Sequence, residues 1–434
     1  MPATLDATFS DLLSSRAELS VGTNSVDRLL GAVRRHLGMD IAFVAQFRAA
    51  DRIFRHVDAQ VPSPIQVGDA ISLDEGYCKD VVEGRLPELI PDTARVPAAM
   101  AKPATQAIPI GAHLSVPIRL ADGSCYGTFC CFSFQADQSL SRRDLEMMRV
   151  FADILADQIN LDIDRSRSKS ERLARVQTAL ASGHPAIVYQ PIYSLDTGRI
   201  AGFECLSRFH LEPQRPPNEW FSEAHEVGLG AELEVAAIRE ALSTLKHVRA
   251  PLYLTVNCSP NTIVDGSLLE AVKATDLSRV VVEITEHVHV DDYAKLLEQL
   301  SLLRALGLRV AIDDAGAGYA SMRHILKIRP DIIKLDISLT KNIDADSTQR
   351  ALAAALIAFA RETGATIVAE GIETEAELHT LKRLGISGAQ GYYLARPSPL
   401  AHSMSLVNDS AGKLQEGASA GTDAVCEPTR QANP

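Results

Sequence analysis

Residues 185–399 constrain the fold most strongly, because short apolar segments alternate there with helical patterns. The apolar segments, rich in Val, Ile and Leu, lie at 187–190, 200–206, 252–256, 280–284, 310–312, 332–335, 366–369 and near 390–393. Helical patterns lie between them, such as 293–305, where leucines recur at three- and four-residue spacing. This alternation is typical of a parallel α/β fold, and eight units in about 215 residues predict a (β/α)8 barrel.

Polar side chains follow these segments. In a (β/α)8 barrel the reacting groups lie at the C-terminal ends of the strands. The residues expected there are Gln190, Glu204, Arg208, Asn257, Glu283, Glu286, Asp313, Asp314, Lys334, Asp336, Glu370, Glu373 and Gln390. A purely structural role would predict apolar or turn residues at several of these ends. The sequence therefore predicts that the polar residues converge on one site.

Asp313 and Asp314 are the most concentrated charge in this set. They follow the apolar run 308–312, and two glycines lie within the next four residues. Taken alone, the pair is more typical of a solvated turn. Adjacent acids at the end of a buried strand repel each other, however, and among so many other acids they indicate a site for divalent cations.

The residue types favour particular chemistry. Oxygen ligands without a nearby His or Cys select Mg²⁺ or Mn²⁺ over zinc. Several carboxylates can hold two ions about 3.5–4 Å apart, an arrangement that activates water for in-line phosphoryl displacement. Arg208 is suited to gripping a phosphate, and Lys334 to orienting or deprotonating the water or to neutralising charge in the transition state. These features predict hydrolysis of a phosphate ester.

The first third of the chain predicts a small α+β domain over residues 21–165. A helix at 26–37 precedes an alternating strand at 41–47 and its partner at 53–57. Asp122 and Gly123 predict a hairpin between strands at 114–120 and 126–134. Ser141 then begins a long helix with an apolar face. Residues 1–20 are predicted to be a separate N-terminal segment that precedes this domain.

Two stretches carry little apolar pattern. Residues 166–182 are mostly charged and predict a helical linker, either a solvated connection or a helix that couples the two domains across a dimer. The barrel domain is expected to span 183–400. Residues 401–434 are rich in Gly, Ser, Ala and Asp and predict a disordered tail.

Charge and composition limit the classes of partner that the protein is expected to bind. The chain has 55 acidic and 43 basic side chains, a net charge of −12, which argues against binding DNA or RNA polymers or an anionic membrane. No signal peptide and no apolar run of about 18 residues is present. Seven scattered cysteines indicate reduced thiols. The sequence predicts a cytoplasmic protein.

The motifs of the C-terminal domain, in order, resemble those of EAL-domain phosphodiesterases. They lie at 189–192, 203–208, 256–260, 283–286, 312–314, 331–336, 368–374 and 390–392, and cover about half of the chain. The resemblance implies a TIM-like barrel that hydrolyses cyclic di-GMP to linear pGpG with two Mg²⁺ or Mn²⁺ ions. It also implies a homodimer.

The same resemblance implies roles for individual residues. Glu204, Asn257, Glu283, Asp313, Asp314 and Glu370 would bind the metals, and Lys334 would act in catalysis together with Glu204 and Glu370. Gln190, Leu206, Arg208 and Gln390 would contact the substrate, while Glu286 and Glu373 would stabilise loops. Two alternatives stay open: a cyclic di-GMP receptor with weak or no catalysis, and a protein-interaction scaffold.

The N-terminal domain resembles GAF sensory domains through 76–78, 86–92 and the strand ending at 132. That resemblance implies a domain that regulates the barrel and takes an unidentified small ligand or chromophore, or none. Cys78 is either an attachment or redox thiol or, more commonly for such a residue, a small buried side chain.

Three departures from the EAL pattern stand out. Cys205 replaces the usual Ala, and Ser387 replaces an Asp near the last strand, where a guanine contact is expected to weaken. The loop after Asp314 carries Ala315, Ala317 and Ala320 in place of Phe, Thr and Ser. Because this loop couples metal binding to dimerisation in the family, the change is expected to affect regulation more than metal binding.

Overall fold

The computed structural model describes residues 24–284, 290, 292–316 and 319–413, without the side chains of 24–25, 319–321 and 408–413. The chain divides into two compact units between Ser168 and Lys169, each described below by itself. The helix Arg142–Ala181 contains this boundary and the predicted linker 166–182. Among the described residues, no helix is long and apolar enough to cross a membrane.

The first unit is built on a six-stranded antiparallel sheet in the order β3-β2-β1-β6-β5-β4. Its strands are β1 Ile41–Arg48, β2 Asp51–Ala59, β3 Ala70–Ser72, β4 Leu89–Ile90, β5 Ala112–Arg119 and β6 Cys125–Ser133. Its helices are Asn24–Leu37, Cys78–Val82, Thr93–Arg95 (3₁₀), Pro97–Met100, Pro103–Ala107 and the start of Arg142–Ala181.

Both faces of this sheet are covered because β1 alternates between two cores. Ala42 and Val44 pack with residues of the helices Asn24–Leu37 and Arg142–Ala181. Ile41, Phe43 and Ala45 point to the opposite face, where the segment from Cys78 onward packs. The predicted order of helix, strands and helix is observed, and the α+β fold of this domain is confirmed.

The second unit is a closed eight-stranded barrel in which neighbouring strands follow the order β7 to β14. The strands are β7 Ala186–Ser194, β8 Ile200–Arg208, β9 Tyr253–Cys258, β10 Val280–Ile284, β11 Arg309–Ala315, β12 Ile332–Leu335, β13 Thr366–Ala369 and β14 Gly388–Ala389. The longer helices are Pro217–Glu226, Gly230–Ser243, Tyr293–Ala305, Tyr319–Ile328, Ser347–Thr363, Glu375–Leu384 and Leu400–Lys413. Shorter ones are Leu245–His247 and Leu277–Arg279 (both 3₁₀), Pro260–Val264, Ser267–Val272 and Ile337–Thr340.

The barrel prediction is confirmed, but two strands differ from it. β7 runs antiparallel to both of its neighbours, β8 and β14. A parallel pair needs a crossover of about a dozen residues or more, and the short segment 195–199 between β7 and β8 permits only a hairpin. The last strand is Gly388–Ala389 and ends before the predicted 390–393.

The predicted disorder of residues 401–413 is wrong. They belong to the helix Leu400–Lys413, in which Leu400, Met404 and Val407 pack against the barrel core. This is a helical spacing that the small and polar composition hides. Ser403 is buried, and its hydroxyl donates to the carbonyl of Tyr189 at 2.9 Å. The predicted segments 1–20 and 414–434 lie outside the described residues.

Candidate active site at the barrel mouth

The inside of the barrel is arranged in two layers. Apolar side chains form the floor, namely Ile192, Val281, Ala311, Ile332 and Val368, with Tyr253 packed against them. Side chains two positions apart on a strand point the same way. Two positions further along the chain, toward the mouth, Val281 is followed by Glu283, Ala311 by Asp313, Ile332 by Lys334 and Val368 by Glu370. On the reversed strand β7 the equivalent residue is Gln190, which precedes Ile192.

Lys334 is the centre of the upper layer. It is 1% exposed, and its ammonium lies 2.6 Å from a carboxylate oxygen of Glu370 and 2.9 Å from one of Glu283. Oxygens of Asp313 and Glu204 lie 3.1 and 3.4 Å away. One buried cation therefore links β12 to side chains carried by β8, β10 and β11 and by the residue that follows β13.

The charges in this cluster are unbalanced. Burial alone lowers the pKa of Lys334, but the attraction of its four acidic neighbours outweighs burial and holds the pKa well above its usual value. Burial raises the pKa of Glu283 to about 8, although Lys334 opposes the shift, and burial likewise raises the pKa of Glu370. The cluster carries more acid than Lys334 neutralises.

A bulge brings Asp314 into the same site. β11 pairs with β12 through Ile312 and Ile333 and again through Ala315 and Leu335. Two residues of β11, Asp313 and Asp314, therefore lie opposite Lys334 alone. Asp314 adopts a left-handed conformation with φ of 55°. In a regular strand neighbouring carboxylates would point to opposite faces, whereas here both point to one site.

The acids fit a pair of divalent cations. Oxygens from Asp313, Asp314 and Glu370 lie within 4.8 Å of one another. With Glu204 and Glu283, these acids set five negative charges against the one positive charge of Lys334 when all are ionised, an excess that two divalent cations would balance. A second oxygen of Glu283 is buried without a hydrogen-bond partner. All of these donors are hard oxygens, the type that Mg²⁺ and Mn²⁺ prefer.

Gln390 orders two of the acids from just beyond β14. Its amide nitrogen donates to Glu204 at 2.5 Å and to Glu370 at 2.9 Å. Its amide oxygen is buried without a partner, as is the hydroxyl of Thr255, which lies beside Glu204 on β9. Thr255 was not predicted from the sequence. These two buried polar atoms are therefore available to hydrogen-bond a polar ligand or a water molecule.

The other predicted substrate residues lie along β7 and β8. Glu204, Leu206 and Arg208 alternate along β8, so their side chains share one face. Arg208 is half-buried, donates to the carbonyl of Ser207 at 2.8 Å, and lines a groove with Gln214 and Arg215. Gln190 is opposite Glu204 and donates to the carbonyl of Ala395 at 3.2 Å.

The remaining predicted residues do not belong to the buried cluster around Lys334 in the part of the chain that the structure describes. Asn257 pairs with Glu283 on the adjacent strand, and its side chain is exposed. Glu286 lies outside the described residues. Glu373 is exposed and pairs with Lys341 at 3.1 Å.

The loop beyond Glu370 is held by a residue that the sequence analysis missed. Glu377 is 2% exposed and accepts hydrogen bonds from the backbone amides of Asn342, Glu373 and Thr374, at 2.8 to 3.0 Å. Its capping box with Thr374 was readable as a Thr-x-x-Glu pattern. Glu377 therefore ties the end of this loop to the segment that follows the helix Ile337–Thr340.

A second missed acid lies behind β9. Glu234 is buried and accepts hydrogen bonds from the amide and the hydroxyl of Ser259, both at 3.0 Å, and contacts His225 at 3.0 Å. Burial alone would raise the pKa of Glu234, but the hydrogen bond with His225, followed by those with Thr262 and Ser259, outweighs burial and lowers the pKa. The residue holds the turn that follows Asn257.

Two departures from the EAL pattern have a packing explanation. Cys205 points away from Glu204, into the core between barrel and helices, where a slightly larger side chain than Ala fits. Ala315 is fully buried in the same core, and a side chain at the next residue, Gly316, would meet Leu339 at 2.1 Å. Ser387 accepts a hydrogen bond from Leu195 through its backbone carbonyl, which any residue provides.

Comparison with known families identifies both domains. The EAL domain profile matches residues 173–397, more than half of the chain, and the GAF domain profile matches residues 24–159. The chain belongs to the EAL domain family and carries a GAF domain before the EAL domain. Both predicted resemblances are confirmed.

Among its curated relatives are two proteins of Pseudomonas aeruginosa. The cyclic di-GMP phosphodiesterase PA2567 is 34% identical over 223 residues, which cover 49% of this chain and 38% of that protein. The cyclic di-GMP phosphodiesterase RocR is 32% identical over 242 residues, covering 53% and 62%. The chain therefore spans less than two thirds of the length of either relative.

A solved structure has the same fold over a larger share of the chain. The EAL enzyme Bd1971, in a form with cAMP and cyclic di-GMP bound, has a TM-score of 0.54. The match covers 85% of this chain and 93% of that one, at 16% identity. The likeness concerns the fold alone.

Proposed function

We propose that the barrel is a metal-dependent phosphodiesterase that hydrolyses cyclic di-GMP to linear pGpG. The observation that carries the proposal is the position of Lys334 among four carboxylates, beside the triplet of Asp313, Asp314 and Glu370. Membership of the EAL family and relatives named cyclic di-GMP phosphodiesterases support this substrate.

Two Mg²⁺ or Mn²⁺ ions are the proposed cofactors. The residues that would hold them are Glu204, Asn257, Glu283, Asp313, Asp314 and Glu370. When bound, such ions lower the pKa of water and neutralise charge on phosphate oxygens. The unpartnered oxygen of Glu283 and the excess of acid over Lys334 support this set.

Lys334 is proposed to act as a cation rather than as a base. Four carboxylate neighbours keep its ammonium protonated, so it is suited to orienting a water molecule by donating a hydrogen bond and to stabilising negative charge on the phosphate in the transition state. Glu204 and Glu370 are the two acids that Gln390 orders. Their fixed orientation would keep the nucleophile and the phosphate aligned.

Substrate binding is proposed to extend along β8 from this centre. Arg208 offers a guanidinium to the second phosphate of a cyclic dinucleotide, and Leu206 offers an apolar contact to a base. Gln190 and Gln390 offer amides, of which the Gln390 oxygen is unpaired. An anionic, planar substrate suits this combination of charge and apolar surface.

The test is a turnover assay on the full chain with Mg²⁺ or Mn²⁺, with the product identified by chromatography. We expect conversion of cyclic di-GMP to pGpG, and loss of turnover in Glu204→Ala. Glu362→Ala, at an exposed position of the helix Ser347–Thr363, is the matched control and should retain turnover. Absence of turnover with every divalent cation tried, while the chain is folded, would contradict the proposal.

Two other functions are outcomes of a second measurement. Isothermal titration of cyclic di-GMP, with and without Ca²⁺, would show binding without turnover for a receptor. Absence of binding would indicate a protein-interaction scaffold. The altered loop that begins at Ala315 is the feature that keeps the receptor in consideration.

We also propose that the protein is a homodimer and that the GAF domain regulates the barrel. In the helix Arg142–Ala181, the exposed residues Val150, Ile154 and Leu161 recur at spacings of four and seven, which places them on one face. A second copy of this helix would cover such a stripe.

Light scattering tests the dimer. Leu161→Glu should give a monomer, whereas Leu302→Glu, at another exposed helical leucine, should not change the mass. A monomeric wild type would refute this part of the proposal. Regulation predicts that a ligand of the GAF domain changes the turnover of the full chain.

A further inference from the structure

The first unit contains a small cavity next to a buried cation. The cavity has a volume of about 30 Å³, which is room for a molecule the size of one or two waters. Arg52, Tyr77 and His113 supply its polar edges, and the other lining residues are Phe43, Phe54, Ile65, Ala104, Ile108, Ile110 and Phe132. A small polar molecule fits it better than a nucleotide does.

Arg52 is a buried cation for which the neighbouring backbone leaves space. It is 7% exposed, and within the described part of the chain no carboxylate lies in salt-bridge range of its guanidinium. A side chain at position 76 would lie 2.1 Å from the guanidinium, so Gly76 leaves the space that Arg52 occupies. Its Nε is buried without a hydrogen-bond partner. A buried cation requires a compensating negative group nearby.

That group is a cysteine sulfur. Nη1 of Arg52 lies 3.1 Å from Sγ of Cys78, and both side chains are buried. Sγ of Cys130 lies 3.8 Å from Sγ of Cys78 and is itself 3.0 Å from the hydroxyl of Ser115. Two sulfurs in contact beside a guanidinium form an arrangement that a lone buried cysteine does not have.

The two sulfurs differ in acidity. A hydrogen bond from Cys130, together with the positive charge of Arg52, lowers the pKa of Cys78 to about 5 against the effect of burial. Burial raises the pKa of Cys130 well above its usual value. Burial, and then Arg52, lowers the pKa of His113 to about 3, so this ring is neutral. Cys78 is thus the thiolate of the pair and Cys130 the thiol.

We propose that Cys78 and Cys130 are a redox pair that a small hydroperoxide, admitted to the cavity beside Arg52, converts to a disulfide. Hydrogen peroxide has the size that the cavity accepts, and Arg52 borders both the cavity and the Cys78 sulfur. This activity is separate from the phosphodiesterase chemistry proposed for the barrel.

The reaction balances in two steps. The Cys78 thiolate attacks one peroxide oxygen, the O–O bond breaks, and Cys78 becomes a sulfenic acid while the departing hydroxide takes a proton and leaves as water. The Cys130 sulfur, losing its proton, then attacks the Cys78 sulfur. The S–S bond forms, the S–O bond breaks, and the released hydroxide takes that proton as a second water. The two thiols lose two electrons to the peroxide, and a dithiol reductant reverses the change.

The experiment uses the reduced full chain treated with hydrogen peroxide, followed by alkylation of free thiols and peptide mass spectrometry. We expect a linked peptide pair containing Cys78 and Cys130 that dithiothreitol separates. Cys130→Ser should stop the reaction at a sulfenic acid on Cys78, which dimedone labels. Arg52→Lys should slow the oxidation severalfold.

Two controls keep the result specific. Cys131→Ser alters a buried thiol next in sequence that faces the other core of the sheet, and it should leave the link unchanged. Glu204→Ala, inactive in the barrel on our proposal, should also form the link. The inference is overturned when Cys78 and Cys130 stay free at peroxide concentrations that oxidise the part-exposed Cys125, or when the link joins other cysteines. Cys78→Ser should abolish the link, and where that variant fails to fold, the dimedone label in Cys130→Ser decides.

Discussion

Replacing Lys334 by methionine tests whether this lysine holds the barrel mouth together. Met has a similar length and apolar volume but no charge, so Lys334→Met removes the ammonium and leaves the packing nearly filled. Four acidic side chains then lose their common counter-charge, because each has an oxygen between 2.6 and 3.4 Å from that ammonium. We expect a large loss of stability in the absence of divalent ions.

The magnitude follows from the geometry. At an effective dielectric constant of about 20, two unit charges about 3 Å apart attract by about 5 kcal/mol. Desolvation of the buried ions opposes these attractions, and removing one partner of a buried ion pair costs about 3–5 kcal/mol in practice. Because burial raises the pKa values of Glu283 and Glu370, these two acids can take up protons once the ammonium is removed, so we expect the middle of that range, about 4 kcal/mol, in the free energy of unfolding.

The chain offers a clean optical signal for the measurement. Trp220 is its only tryptophan, and it is buried in the barrel unit, stacked on Phe209 with 5.0 Å between ring centroids. Urea unfolding in EDTA, followed by Trp220 fluorescence, therefore reports on this unit. The matched control is Lys341→Met, whose ammonium is half exposed and pairs with Glu373, so it should change stability by at most about 1 kcal/mol.

A folded Lys334→Met protein whose free energy of unfolding lies within about 1 kcal/mol of the wild type would contradict this prediction. The acids would then be largely protonated around Lys334, and the excess negative charge that supports the metal proposal would not exist. In the turnover assay, the variant should also lose about 10²–10³-fold in kcat, the usual effect of removing one group that stabilises the transition state.

Two further substitutions test how the loops at the mouth are held, again by Trp220 fluorescence in urea. Glu377→Ala should cost about 3 kcal/mol, because three backbone amides lose a charged acceptor, whereas Glu373→Ala should change stability by less than about 1 kcal/mol; equal effects would contradict the role of Glu377. Gly316→Ala should cost about 1–3 kcal/mol, since φ is 109° and the new methyl would lie 2.1 Å from Leu339. In a Leu339→Ala background that cost should fall, and an unchanged cost would rule out the steric explanation.

Strand positions in the barrel were predictable where the chain is most apolar. The strands Val280–Ile284, Ile332–Leu335 and Thr366–Ala369 have the predicted ends, because short runs rich in Val and Ile are typical of buried strands. The reversal of β7 was not predicted, since strand direction depends on the connection and apolar runs do not encode it. Gln190 reaches the mouth from the opposite direction to the other site residues for that reason.

The site was predictable as a set of residue types, but the function of each acid was not. Asp336 follows the same strand as Lys334, yet its carboxylate accepts a hydrogen bond from the amide of Ser338 and caps the short helix Ile337–Thr340. Strand-end position alone cannot separate this cap from a site residue, because both are acids beside a strand. The role of Glu234 was not predicted because this residue lies within a helix and not at a strand end. Only the fold brings it to Ser259.

Asp313 and Asp314 show what the fold adds to a short motif. On a regular strand, the two-residue repeat would send one carboxylate into the barrel and the other toward the helices, and a binuclear site could use only one of them. The bulge opposite Lys334 removes that restriction, because β11 gains a residue that β12 lacks. The left-handed backbone at Asp314 is a conformation that Asp tolerates better than most residues do, and Gly316 with φ of 109° completes the turn. The convergence of two adjacent acids therefore depends on backbone geometry as much as on the acids, which is why the pair alone was ambiguous.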